Sequence, residues 1–179
     1  VLFTQLVDVV GFLDPAIGQG DNPDWCACVV IGKDASGYLY VLDAYMSQGV
    51  SPTAQVNGVV ELLWQWRVRR FGIESNQFQI LALPNIQSAM AQRALEEGEH
   101  YAPVYVPMHN LRNKMIRISS LEALISNRHL WFNEQLHPEY LRQMGSFRPV
   151  DGADKDDAPD ATESCVRVMQ HIAERRRPR

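Results

Sequence analysis

"VDVVGFLD", residues 7–14, is the stretch whose reading decides the fold. It is an almost unbroken apolar run closing on an acid, the pattern of a strand buried on both faces, since a surface strand alternates apolar and polar residues. Such a strand needs neighbours on both edges and cover above and below. It also leaves Asp14 at its exit. After a Gly- and Asp-rich loop come "WCACVVIG" (25–32) and "YLYVLDAYM" (38–46), separated by "KDASG", which reads as an antiparallel hairpin.

Farther along, "SPTAQVNGVVELLWQWRVRRFG" (51–72) starts with the helix-initiating pair Ser51-Pro52, repeats apolar residues at helical spacing and stops at Gly72. A short strand runs into Glu74. A helix follows from about Asn76 to Glu97, broken or kinked near Pro84. "APVYVPM" (102–108) reads as a strand, 111–127 as a helix, "HLWFN" (129–133) as a short extended piece, Pro138–Met144 as a weak helix, and Asp157–Glu174 as a closing helix. This order predicts an α/β fold: a mixed sheet with an antiparallel hairpin portion at one end plus parallel strands, and helices on both faces. Residues 1–174 form one domain in this reading. Residues 175–179, "RRRPR", are a basic flexible tail.

The 179 residues are enough for one self-sufficient core. No apolar run approaches the roughly 18 residues of a membrane span, so no membrane partner is expected. The three cysteines fit neither a disulfide framework nor zinc spacing, and read as reduced core thiols. Net charge is −4, which argues against unselective attraction to polyanions, although Arg67, Arg69 and Arg70 crowd one place and Arg112, Lys114 and Arg117 another. The chain opens on Val1, so it is expected to be part of a longer one. No GxxxxGK[ST] pattern occurs, so ATP hydrolysis is not expected of these residues.

In sheets of this class, functional groups gather where strands end. Asp14 and Glu74 are both strand-end acids. A third set, Asp156, Asp157 and Asp160, lies in "DKDDAPDA" (154–161); if a helix begins there, Asp157 and Asp160 share a face. Carboxylates packed together repel unless a divalent cation neutralises them, and all-oxygen ligands favour Mg²⁺ or Mn²⁺ over zinc. Two such ions would suit phosphodiester hydrolysis. The bland alternative is that Asp14 caps a turn and the later acids sit at a helix N-terminus.

Four segments in order resemble the nuclease domain at the C-terminal end of tailed-bacteriophage terminase large subunits. "GFLDPAIGQGDNPDWCACVVIGKDASGYLYVLDAYM" resembles that family's first strand and hairpin, and "IESNQFQ" its second acidic motif. "NKMIRISSLEALI" followed by "HLWFN" is similar to its middle, and "DKDDAPDA" to its closing acidic motif. The resemblance implies a ribonuclease H-like fold and a metal-dependent endonuclease that cuts concatemeric viral DNA during genome packaging. It further implies that Asp14 bridges two ions (Mg²⁺ or Mn²⁺), that Glu74 binds one, and that the closing motif supplies the rest, with Asp157 ahead of Asp160 and Asp156. Implied partners are double-stranded DNA, an upstream ATPase domain of the same chain, a portal and a small terminase subunit, in the host cell cytoplasm. One departure is Lys155, where the family often has histidine; a lysine is a poorer proton shuttle near neutral pH.

DNA held by its backbone calls for cations around the acids. Lys114 and Arg117, three apart on a helix and similar to a basic pair of the family, are the first candidates, with Lys155 beside them. Arg67, Arg69 and Arg70 are weaker ones, and Asn76 and Gln77 are candidates to orient Glu74. Asp24 and Asp43 are left out of the site, Asp43 because an acid inside an aromatic strand needs a polar partner. Two other functions compete: a Holliday-junction resolvase or transposase-like nuclease of the same fold, and a non-catalytic module docking to DNA or the portal.

Overall fold

The strand at 7–14 pairs on both edges. In the computed structural model, which describes residues 3–15, 25–74, 77–109, 113–148 and 155–175, it is β1 (Leu6–Asp14). It is followed by β2 (Cys26–Asp34), β3 (Leu39–Ser47), α1 (Pro52–Gln65), β4 (Arg70–Glu74) and α2 (Gln77–Glu97). Then come β5 (Val104–Met108), α3 (Lys114–Ser126), β6 (Leu130–Phe132), α4 (Pro138–Ser146) and α5 (Asp157–Arg175). The six strands lie in the order β5-β4-β1-β2-β3-β6. β2 is antiparallel to β1 and β3, while β4, β5 and β6 join in parallel. The antiparallel portion is therefore interior and not at one end as expected. β6 has only three residues, too few for a period that would reveal which edge it joins.

Alternation along β1 divides the interior. Val10 and Phe12 point into a core shared with Ala161, Cys165 and Val168 of α5 and with residues of α3 and α4. Val9 and Leu13 point into the opposite core, with Leu63 of α1 and Met90 of α2. Helices thus cover both faces. Ser51 begins α1 by accepting from Ala54 N at 3.2 Å, with Pro52 in the first turn. Of the break or kink expected near Pro84, the break is absent: α2 is one helix with Pro84 inside it. Pro107 is tolerated because β5 is an edge strand.

α5 reaches the sheet because β4 has no side chain at Gly72, where a Cβ would lie 2.8 Å from Phe12 Cδ2 and would also run into Val168 Cγ2. The three cysteines are free and buried. Among the described residues no helix is long and apolar enough to cross a membrane. Asp24, Asn76, Arg112 and the end of the basic tail (176–179) lie outside the described residues; α5 extends to Arg175.

Candidate active site

β1 and β4 run side by side in parallel, with Leu13 opposite Ile73. Asp14 and Glu74 are the next positions on the two strands. Side chains alternate along a strand, so both point to the face of Phe12 and Gly72, which α5 covers. Sequence pattern fixes this arrangement: two strands ending in acids, in register and parallel, bring their carboxylates together.

The third contribution comes from the start of α5. Asp157 and Asp160 lie in its opening turns, and the helix is anchored from α4. Gln143 Oε1 accepts from Ala158 N at 2.8 Å, and Tyr140 and Thr162 hydroxyls meet at 2.7 Å, all inside the protein. Neither Gln143 nor Tyr140 stands out in the sequence, because a buried polar residue shows only once its partner is in place.

The electrostatics show which acids share the pocket. The Asp14 carboxyl is held well above the usual carboxylate range, first by burial, then by the negative charges of Asp160 and Glu74, with Lys114 opposing them and Asp157 adding to them. Three carboxylates, Glu74, Asp157 and Asp160, therefore act on Asp14. Asp156 is turned toward α3, where Lys114 Nζ lies 2.8 Å from its Oδ1 and 3.4 Å from Asp160 Oδ2. Burial alone would lower the pKa of the Lys114 ammonium, but the hydrogen bond it donates to Asp156 and the charges of Asp160, Asp156 and Asp14 outweigh this and raise it to about 12.

Arg117 takes a different place from the rim expected of a DNA contact. Its side chain is 5% exposed, and its Nη1 lies 2.8 Å from Asp160 Oδ1 and 2.6 Å from Glu163 Oε2. Glu163 in turn lies 2.9 Å from Arg167 Nε. Glu163 escaped the sequence reading; the signal was the spacing of Asp157, Asp160 and Glu163, three apart and so on one side of the helix. Lys155 is half-buried immediately before α5.

The other arginines are engaged elsewhere. Arg70 is buried, pairs with Asp8 and donates to Val168 O at 2.7 Å; Arg69 donates to Val7 O at 2.7 Å; Arg67 meets Glu99 at 2.7 Å. Asp43 has the polar partner its surroundings require, since Trp66 Nε1 donates to its Oδ2 at 2.9 Å.

Among the described residues, no three His, Cys, Asp or Glu side chains are grouped closely enough to hold a metal ion as they stand. The donor chemistry nonetheless fits one. The groups acting on Asp14 are oxygen acids with one opposing ammonium, and neither thiol nor imidazole is among them. Such a set suits a hard divalent cation.

A mixed sheet with one reversed strand, acids at the ends of two adjacent parallel strands and a third acid on the helix crossing them define a ribonuclease H-like domain. The chain belongs to the terminase RNaseH-like domain family, whose match spans residues 11–167. Solved structures share the fold. The human cytomegalovirus terminase nuclease domain superposes with a TM-score of 0.69 at 14% identity, over 94% of this chain and 86% of that one. A K428A mutant nuclease domain of the large terminase subunit gp2 of bacterial virus Sf6, with manganese and beta-thujaplicinol, gives 0.56 at 10% identity, over 90% and 88%. Fowlpox virus resolvase in complex with Holliday junction DNA gives 0.50 at 12%, over 92% and 98%. No curated protein sequence matches the chain.

Proposed function

We propose that this domain is a divalent-metal-dependent endodeoxyribonuclease that cuts concatemeric viral DNA during genome packaging. The observation that carries the reading is the convergence of the charges of Glu74, Asp157 and Asp160 on Asp14, at the carboxyl ends of β1 and β4. Family membership and the manganese present in the Sf6 nuclease structure support it.

Asp14, Glu74 and Asp157 would hold two Mg²⁺ or Mn²⁺ ions. When bound, such ions neutralise a phosphodiester and activate water for its hydrolysis. Asp14, on which the charges of both other acids act, would be the ions' shared central ligand. Asp157 is preferred from the closing motif because Asp156 faces Lys114, and Asp160, although its charge acts on Asp14 more strongly than that of Asp157, is already engaged by Arg117 and Lys114. Arg117 and Glu163 keep the opening turns of α5 in place. Lys114 and Lys155, at the edge of the acids, are the cations that would meet the DNA backbone. In this reading the partners are double-stranded DNA, an ATPase domain upstream in the same chain, the portal and the small terminase subunit, and the setting is the host cell cytoplasm.

The test is cleavage of supercoiled plasmid with Mg²⁺ or Mn²⁺, comparing the wild type with Asp14→Asn, Glu74→Gln and Asp157→Asn. Metal-dependent nicking and linearisation that each substitution abolishes support the enzyme. A folded wild-type domain inert under every metal condition would favour docking, and strong preference for a four-way junction over linear duplex would favour a resolvase.

A further inference from the structure

Among the described residues, Arg117 and Lys114 both press on the closing acids, and they differ in whether they can leave. Arg117 is sealed, with its guanidinium shared between Asp160 and Glu163. Lys114 is 40% exposed at its side chain and reaches Asp156 and Asp160 from α3, a separate element 42 residues away in sequence from Asp156. Its backbone opens α3, where Asn113 caps the helix and accepts from Met115 N at 2.9 Å. The freedom to move belongs to the side chain, a flexible four-carbon stem carrying a compact charge.

We propose that Lys114 is the resident counter-ion of the acid cluster and that a divalent cation loads by displacing it. The inference rests on the metal-dependent reading above. The ammonium and the ion act on neighbouring acids: Lys114 contacts Asp156 and Asp160, which flank the proposed ligand Asp157, and its charge also acts on the proposed ligand Asp14. A doubly charged ion beside Asp14 would neutralise the negative charge that holds the ammonium there and repel it. Release would turn Lys114 from an internal partner into a free cation at the edge of the site, available to a DNA phosphate only after the ions are in place. Metal loading and backbone binding would then be linked through one side chain.

Two measurements test this without reading activity. In the first, Mn²⁺ is titrated calorimetrically into the wild type and Lys114→Met, each checked for folding by circular dichroism. Removing one positive charge a few ångströms from the ion should tighten binding by about tenfold. In the second, wild-type lysines are labelled with an N-hydroxysuccinimide ester and quantified by mass spectrometry. The chain has three, Lys33, Lys114 and Lys155, and Lys33, at the opposite end of the β1–β2 pair from Asp14, serves as reference. Labelling of Lys114 should rise on saturation with Mn²⁺ while Lys33 stays constant. Equal or weaker affinity in a folded Lys114→Met, or Lys114 labelling unchanged at saturating Mn²⁺, overturns the displacement and leaves the metal-dependent reading intact. A wild type that takes up no Mn²⁺ overturns both.

Discussion

The guanidinium of Arg117 lies 2.8 Å from Asp160 Oδ1, with the two side chains only 5% and 10% exposed. The same nitrogen meets Glu163, itself 6% exposed at its side chain. Removing a partner from a buried ion pair leaves an uncompensated charge and typically costs about 3–5 kcal/mol. Arg117→Gln would take the guanidinium from two buried carboxylates, leaving Glu163 to Arg167 and Asp160 to the part-exposed Lys114, so a loss of about 3 kcal/mol, the low end of that range, is expected. Urea denaturation would measure it; a change under about 1 kcal/mol would mean the pair is dispensable, as exposed pairs are.

Asp14 links stability to pH in a defined direction. Its folded-state carboxyl binds its proton more tightly than the unfolded chain does, so protonation favours the fold. The favourable state is fully present below the unfolded carboxylate pKa and is lost as pH rises toward the folded one. Metal-free wild type should therefore lose thermal stability between about pH 4 and neutrality relative to Asp14→Asn, which has no such charge to bury. Adding Mn²⁺ at neutral pH should reverse the ranking, raising the Tm of the wild type and not of the variant. Scanning fluorimetry in EDTA and in Mn²⁺ reads both; a wild type whose Tm tracks that of Asp14→Asn across the range would remove Asp14 from the charge cluster.

How much of this was legible beforehand follows from how local each signal is. β1 announced itself because a strand buried on both faces needs an unbroken apolar run, and α1 because Ser51-Pro52 and the helical repeat both lie within it. The place of β6 was not legible, since three residues carry no period. Lys114 and Arg117 read as one exposed pair, yet α5 seals one and leaves the other at its edge. That outcome depends on the packing of α3 against α5, two helices about forty residues apart in sequence. The acid row 157, 160, 163 matches the cations 114 and 117 only once the two helices are known to be neighbours.

Gly72 sets the distance between α5 and the sheet. A methyl group there would lie 2.8 Å from Phe12 Cδ2 and would also strike Val168 Cγ2, a β-branched side chain with little freedom to turn. Overpacking of this kind costs typically about 1–3 kcal/mol. Gly72→Ala should fall in that range and, by lifting α5, should weaken Mn²⁺ uptake although Gly72 touches no acid. Denaturant midpoints and Mn²⁺ titration check the two halves; stability lost with metal affinity unchanged would show that α5 yields elsewhere than at its acidic end.

Gln143 acts on the acidic end more directly. It is completely buried, and its side-chain oxygen accepts from the Ala158 backbone N–H, one residue after Asp157, while its amide donates to Glu139 Oε1 at 2.9 Å. The first N–H groups of a helix have no partner within the helix, so Gln143 supplies from α4 what Asp157 and its neighbours do not supply themselves. Gln143→Leu keeps the side chain's bulk and takes away the acceptor, leaving a buried donor unpaired at a cost of about 1–3 kcal/mol. The backbone at Ala158 should then reorient toward another acceptor, carrying Asp157 with it. Mn²⁺ affinity should drop along with stability. If Gln143→Leu destabilises the fold but binds Mn²⁺ as the wild type does, the opening turn of α5 is positioned by Tyr140–Thr162 and Arg117–Asp160 alone, and Gln143 serves only the packing of α4 on α5.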